Sequence, residues 1–214
     1  MLELGTKLLI AYLLGTALGS LILGRLRGVD IRNMGSGNAG ATNALRTQGK
    51  LFGFLVLLVD IAKGVLAVGW LPGAVLPGIG IDPDVSRAWL TVACGFAVIV
   101  GHVYPVWFEF RGGKGAATVI GVVAAMELRL LLPLLISWFV VLLLSGYVGL
   151  ATMLSTCVLA VAVWVLEPNN VPLGAFCAAI AVFVIYTHRA NIARMRAGKE
   201  NRVRRAWLFR SRAA

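Results

Sequence analysis

The chain has 214 residues, 59% of them hydrophobic and only 14% charged, and its mean hydropathy is +0.88. A soluble domain is nearer a quarter charged, so this composition excludes an ordinary soluble core and points to a polytopic membrane protein. The net charge of +11 lies beside apolar stretches, which favours a lipid bilayer and anionic substrates as partners over nucleic acid.

Seven spans are expected, at about 5–24, 51–71, 87–106, 115–127, 130–146, 149–166 and 172–188. The first lacks a basic leader and a small-residue cleavage site, so it reads as a span and not as a removed signal. It is followed by "GSGNAGATNALR", residues 35–46, which packs glycines, amides and hydroxyls together and ends on Arg46. Consecutive small residues leading into a helix form anion-binding concavities. If the stretch is helical throughout, Asn38, Thr42 and Arg46 share one face, suited to a phosphate with adjacent hydroxyls. The alternative is a glycine-rich turn that caps the next helix.

The second span carries Asp60 and Lys63 near its middle. Ionisable groups at that depth face a partner or a watery cavity. They either pair with each other, or Lys63 points toward an anion site. "LPGAVLPGIGIDPD" and "EPNNVP" read as turns with little chemistry.

After the third span comes "GHVYPVWFEFRGGKGAAT". His102 stands at the foot of that span, where a histidine is more often a hydrogen-bonding anchor than a catalyst. Trp107, Phe108 and Phe110 fit an interfacial belt. Arg111 and Lys114 flank glycines whose backbone could cradle a phosphate, but the run is not a nucleotide-binding P-loop. The required glycine position is Phe108, and Lys114 is followed by Gly115 instead of Ser or Thr. The fourth span is short: about 13 residues rise roughly 20 Å, against a hydrocarbon core of ~30 Å.

The seventh span leads into "THRANIARMRAGKENR", where His188, Asn191 and Arg194 follow helical spacing and Glu200 lies beyond the Gly198 break. The basic run from 199 to 214 reads as a headgroup-binding or topology-fixing tail. Lys and Arg gather in alternate connections: 25–50, 107–114 and the tail from Arg189 hold sixteen, and the other side holds Lys7, Arg87 and Arg129. The positive-inside bias therefore puts the amino terminus in the periplasm and the carboxyl terminus in the cytoplasm. All three polar clusters then fall on the cytoplasmic side, where they can converge on one site. One domain, residues 1–214, is the expected count. Cys94, Cys157 and Cys177 are isolated in apolar stretches and suggest neither disulfide nor zinc.

In their order, "GSGNAGATNALR", "GHVYPVWFEFRGGKGAAT" and "HRANIARMRAGKE" resemble the three cytoplasmic motifs of the bacterial acyl-phosphate:glycerol-3-phosphate acyltransferase family. "DIAKG" and "SGYVGLAT" resemble it too, and the likeness covers nearly the whole chain. The resemblance implies an all-α, seven-helix enzyme of the bacterial inner membrane. Such an enzyme moves a fatty acyl group from acyl phosphate to the sn-1 hydroxyl of glycerol 3-phosphate, giving lysophosphatidic acid and inorganic phosphate, the first acylation of phospholipid synthesis.

Carried over by position, the resemblance implies catalytic roles for Ser36, Lys114, His188 and Asn191. It implies substrate-binding roles for Asn38, Thr42, Asn43, Arg46, Lys63, His102, Gly112, Gly113, Gly115, Ser145 and Glu200. The sequence departs from the family pattern at Ala116, Thr187 and Met195, where valine, a basic residue and leucine are common.

An acyl phosphate is already activated, so direct attack needs two polyanions held together and no covalent acyl-enzyme. The base is either His188 or a substrate phosphate oxygen. The His-x4-Asp pair of soluble-type acyltransferases is absent, since Trp107 and Ala193 stand at the matching positions. No metal is expected, because no carboxylate cluster or Cys/His set lies on the cytoplasmic side, and no cofactor or obligate protein partner is inferred. Without the resemblance, a transporter for an anionic metabolite or a membrane scaffold would be the rivals. The outer loops offer a transporter few anion ligands.

Overall fold

A computed structural model describes residues 1–203, 207 and 208. Among the described residues the regular structure is helical, and contacts divide the chain into two compact units, Met1–Glu127 and Leu128–Ala214.

The first unit holds α1 (Leu2–Thr16), α2 (Gly19–Leu26), α3 (Ala41–Gln48), α4 (Lys50–Gly69), α5 (Arg87–Val103) and α6 (Ala116–Met126). The first apolar stretch is not continuous, because α1 and α2 meet at a bend of 46°. The break exposes carbonyls that would otherwise lie within a helix. Lys63 of α4 answers it, its Nζ donating to Gly15 O at 2.8 Å and Ala17 O at 3.1 Å. An orphan carbonyl inside an apolar bundle costs several kcal/mol by the general rule, so a buried ammonium suits this place.

Helices α1 and α5 approach through glycine. A Cβ added at Gly15 would lie 2.1 Å from Val98 O, and one at Gly101 would lie 2.1 Å from Tyr12 O. The same device joins α4 to α6: Cβ atoms at Gly64 and Gly121 would meet Thr118 O at 2.6 Å and Ile61 O at 2.1 Å. Small residues at such crossings let backbones touch where lipid offers no hydrophobic drive.

At the opposite end of α1 the chain builds an ionic clamp. Glu3 and Lys7 are both buried, and Lys7 Nζ donates to Glu3 Oε1 and to Pro72 O, each at 2.8 Å. Arg87 forks onto the same carboxylate at 2.6 and 2.8 Å. Glu3 also accepts from the Asp82 amide at 2.8 Å. The long connection read as a turn with little chemistry is thus tied to α1 and α5 by charge-assisted bonds.

The second unit holds α7 (Leu131–Ser145), α8 (Val148–Leu166), α9 (Val171–Thr187) and α10 (Arg189–Arg196). Helices α9 and α10 meet at 52°. Asn170 caps α9 by accepting from Leu173 N at 3.2 Å, and Pro172 follows in its first turn, where a missing N–H does no harm. Trp138 of α7 donates to Thr152 of α8 at 3.2 Å.

Part of the basic tail packs within this unit. Val203 N, Leu208 N and the Trp207 indole donate to Gly146 O, Leu143 O and Leu144 O at 2.8, 2.9 and 3.0 Å. Leu143 O and Leu144 O are among the carbonyls an α-helix leaves unpaired at its C-terminus, and Gly146 caps that end. Arg202 lies over both Tyr147 and Trp207, at 4.6 and 4.2 Å from the ring centroids. Arg204, Arg205, Arg210 and Arg212 lie outside the described residues.

Among the described residues, four segments are long and apolar enough to cross a membrane: Lys50–Gly73, Arg87–Phe108, Leu128–Ser145 and Val148–Leu166. The number rises to six if each bent pair is one span, and Ala116–Met126 is a shorter apolar helix.

Candidate active site

The first polar cluster is mostly loop. Asp30 caps a 3₁₀ turn over Ile31–Asn33, Gly35 and Gly37 adopt positive φ, and α3 begins only after Gly40. Asn38 therefore precedes the helix and does not share a helical face with Thr42 and Arg46, which are exposed one turn apart on α3. The loop is organised around Asn43. Its buried amide donates to Ile31 O, Met34 O and Asn38 O at 3.2, 2.9 and 3.0 Å, and accepts from Ser36 N at 2.9 Å. Both ends of that side chain are used to shape the loop that presents Ser36 and Asn38. Gly35 is forced by both sterics and φ, since a Cβ there would fall 2.4 Å from Asn43 Oδ1.

The second cluster starts where α5 ends. The turn after Pro105 contains two consecutive non-glycine residues at left-handed φ, Glu109 at 58° and Phe110 at 56°. Each such residue costs about 1–2 kcal/mol, so the surroundings must hold them. Phe110 N donates to Pro105 O at 3.0 Å, and Phe108 O accepts from Arg111 N at 3.0 Å and from Arg32 Nη1 at 3.0 Å.

The chain then folds back on the helix end, with Gly112 N bonding Val103 O and Gly113 N bonding His102 O, both at 3.1 Å. Those two amides are occupied by α5 itself. Their glycines are required by contact: a Cβ at Gly112 would meet His102 O at 2.1 Å. Gly115 (φ 87°) caps α6, and half-buried Lys114 stands just before it.

Beneath this loop lie the intramembrane charges. Lys63 Nζ is 3.0 Å from Asp60 Oδ1, so with the two α1–α2 carbonyls all three of its donors are engaged. His102 Nδ1 is 3.5 Å from the same oxygen. Lys63 and His102 are both buried and placed as supports of the helix break and the glycine loop.

In the second unit, His188 caps the end of α9. Its Nδ1 lies 2.8 Å from Val184 O. A carbonyl can only accept, so Nδ1 carries a proton, and a neutral ring would hold its lone pair on Nε2. Asn191 and Glu200 are joined, Nδ2 donating to Oε1 at 2.7 Å, while Arg194 Nε donates to Glu200 Oε2 at 2.6 Å. Gly149 gives Asn191 room, since a Cβ there would sit 2.9 Å from Nδ2. Ser145 donates to Val141 O at 2.7 Å and accepts from Tyr147 N at 3.1 Å, at the α7–α8 turn.

Sequence reasoning missed Arg32 and the Glu3–Lys7–Arg87 clamp. The spacing of Asp30 and Arg32 was the available signal for the first. For the second, Glu3 and Lys7 at i, i+4 was the only local one.

Apolar helices long enough to cross a membrane, with buried charges among them, mark a multi-pass membrane protein. The family model for glycerol-3-phosphate acyltransferase matches residues 6–198, and the chain belongs to that family.

The glycerol-3-phosphate acyltransferase of Aquifex aeolicus is 39% identical over 194 residues, covering 90% of this chain and 95% of the relative. That of Synechococcus elongatus is 39% identical over 196 residues, covering 91% and 92%. The crystal structure of PlsY (YgiH), an integral membrane glycerol 3-phosphate acyltransferase, in its glycerol 3-phosphate form has a TM-score of 0.80 at 35% identity, covering 93% of this chain and 94% of that one. Its lysophosphatidic acid form gives 0.78 at 34% identity, with the same coverage.

Proposed function

We propose that this chain transfers a fatty acyl group from acyl phosphate to the sn-1 hydroxyl of glycerol 3-phosphate. The products are 1-acyl-glycerol 3-phosphate and inorganic phosphate. The observation that carries the reading is family membership over residues 6–198. It is supported by the similar structure's glycerol 3-phosphate and lysophosphatidic acid forms, a substrate and a product of this reaction.

In the proposed reaction the hydroxyl oxygen bonds to the acyl carbon, the bond from that carbon to the phosphate oxygen breaks, and phosphate leaves as an anion. The hydroxyl proton passes to His188 Nε2 or to a phosphate oxygen. Lys114, Arg46, Thr42, Asn38 and Ser36 supply cationic and hydrogen-bonding groups that offset phosphate repulsion. Asn191 and Glu200, bonded to each other, order the segment that follows α9, and Ser145 shapes the turn before α8. Asn43, Lys63, His102, Gly112, Gly113 and Gly115 act by holding the loops that present these groups.

We read residues 1–214 as a single acyltransferase domain. Seven spans follow from the apolar stretches and the bacterial inner membrane from the family likeness, and the basic bias supports a periplasmic amino terminus and a cytoplasmic carboxyl terminus.

The test is purified protein in liposomes given glycerol 3-phosphate with either acyl phosphate or acyl-CoA. Release of lysophosphatidate and phosphate with the first donor alone is expected. Activity with acyl-CoA alone, or uptake of label without ester formation, overturns the reading.

A further inference from the structure

We propose that Arg32 is a positioning residue that locks the first glycine loop to the second, so that the groups meant for both phosphates move as one body. Its guanidinium is held on one side by Asp30, with Nε 3.1 Å from both carboxylate oxygens and Nη2 2.7 Å from Oδ2. On the other side Nη1 donates to Phe108 O at 3.0 Å, and the guanidinium carbon lies 6.0 Å from the Phe108 ring centroid.

Both ends of this bridge lead directly to candidate site groups. Arg32 sits in the turn whose neighbouring carbonyl, Ile31 O, is gripped by Asn43, the residue that also fixes Ser36 N. Phe108 immediately precedes the left-handed pair Glu109–Phe110, beyond which Gly112 and Gly113 bond to the end of α5 and lead to Lys114.

The Phe108 ring completes the bridge. It packs on Leu18, Leu21 and Ala39, the last of these inside the first loop. Because Phe108 O accepts from both Arg32 and Arg111, loss of Arg32 frees one of two ties on a strained turn. A forked guanidinium can serve a carboxylate and a carbonyl in one plane, which a single ammonium cannot do.

This inference rests on the proposed acyl transfer, and the experiment separates the two. Hydrogen exchange of the purified protein in detergent is compared for wild type, Arg32→Ala and Arg32→Lys. Amides of 108–113 and of 36–40 are expected to exchange about tenfold faster in both variants, with α7 and α8 unchanged. In liposomes, kcat is expected to fall roughly 10- to 100-fold. The KM values for both substrates should shift together, and the thermal midpoint should stay within a few degrees of wild type. Asp30→Ala combined with Arg32→Ala is expected to be no worse than Arg32→Ala alone.

Unchanged exchange in both loops overturns the proposal. So does a KM effect confined to one substrate, which makes Arg32 a direct ligand, or an activity loss that only tracks the unfolded fraction. A wild type that forms no lysophosphatidate overturns the acyl-transfer reading and leaves the exchange comparison to judge the bridge.

Discussion

His102 and Gly113 are fitted to each other: a Cβ on Gly113 would lie 2.0 Å from His102 Nε2. The glycine is there to admit an imidazole, while its amide bonds the carbonyl of that same histidine. Gly113→Ala is therefore expected to cost about 1–3 kcal/mol, as overpacking does, and to lower turnover more than tenfold. Thermal unfolding and liposome turnover check this. Gly113→Ala combined with His102→Ala should regain part of the stability without regaining the rate.

Lys63 balances Asp60 inside the apolar bundle. Lys63→Met leaves a buried carboxylate without its cation and two carbonyls without a donor. Removing one partner of a buried pair costs about 3–5 kcal/mol. Asp60→Leu with Lys63→Met should recover only the part due to the unpaired carboxylate, since Gly15 O and Ala17 O still lack their donor; denaturant unfolding in detergent measures the difference.

Asn43→Asp keeps the size of the side chain and removes its two N–H donors. Three loop carbonyls then face a carboxylate where an amide had bonded them. A loss of roughly 2–3 kcal/mol is expected, at about 1 kcal/mol for each bond. The rate should fall even in the folded fraction, because Ser36 and Asn38 lie on that loop. Unfolding and initial rates of the same preparation give the answer.

Asp30 carries a pH signature. The Arg32 guanidinium beside it holds its carboxyl below the usual carboxylate range. A depressed folded value means the pair stabilises fully above the ordinary pKa of about 3.9, and the gain is lost as pH falls through the folded value. The side chain is 34% exposed, so the gain is about 0.5 kcal/mol after solvent screening. Wild type and Asp30→Asn should differ in midpoint at pH 7 and converge in strong acid.

The clamp of Glu3, Lys7 and Arg87 predicts a separation of stability from chemistry. Arg87→Ala should lower the unfolding midpoint by a few degrees, about the shift of a modest loss in a domain this size. Turnover per folded molecule should stay near that of wild type. A large loss of turnover would show that this end of α1 and α5 reports to the site.

Much of this molecule was legible because its chemistry is local. Composition and apolar runs set an all-helical membrane protein, and the glycine-rich strings marked where backbone would be tightly turned. Gly112 and Gly113 were read as a phosphate cradle, yet the structure uses them to admit His102 and to bond α5. A one-dimensional string shows that a Cβ is missing without showing what takes its place. Asn43 was read with its neighbours as a ligand group because amides and hydroxyls look alike before their partners are known. The bend at Ala17–Leu18 carries neither proline nor charge, and its support, Lys63, is over forty residues away. Arg87 and Lys7 were visible only as scarce charges that oriented the chain, since their common partner Glu3 is distant from Arg87 in sequence.

The contact of Gly15 with Gly101 has a mechanical consequence. Two helices that touch backbone to backbone have a fulcrum there, and tilting one against the other displaces atoms least beside it. His102, which anchors the glycine loop, is the very next residue. A tilt of α5 that swings its distant Arg87 end about this contact would therefore displace the glycine loop least, and close positioning is what catalytic groups need.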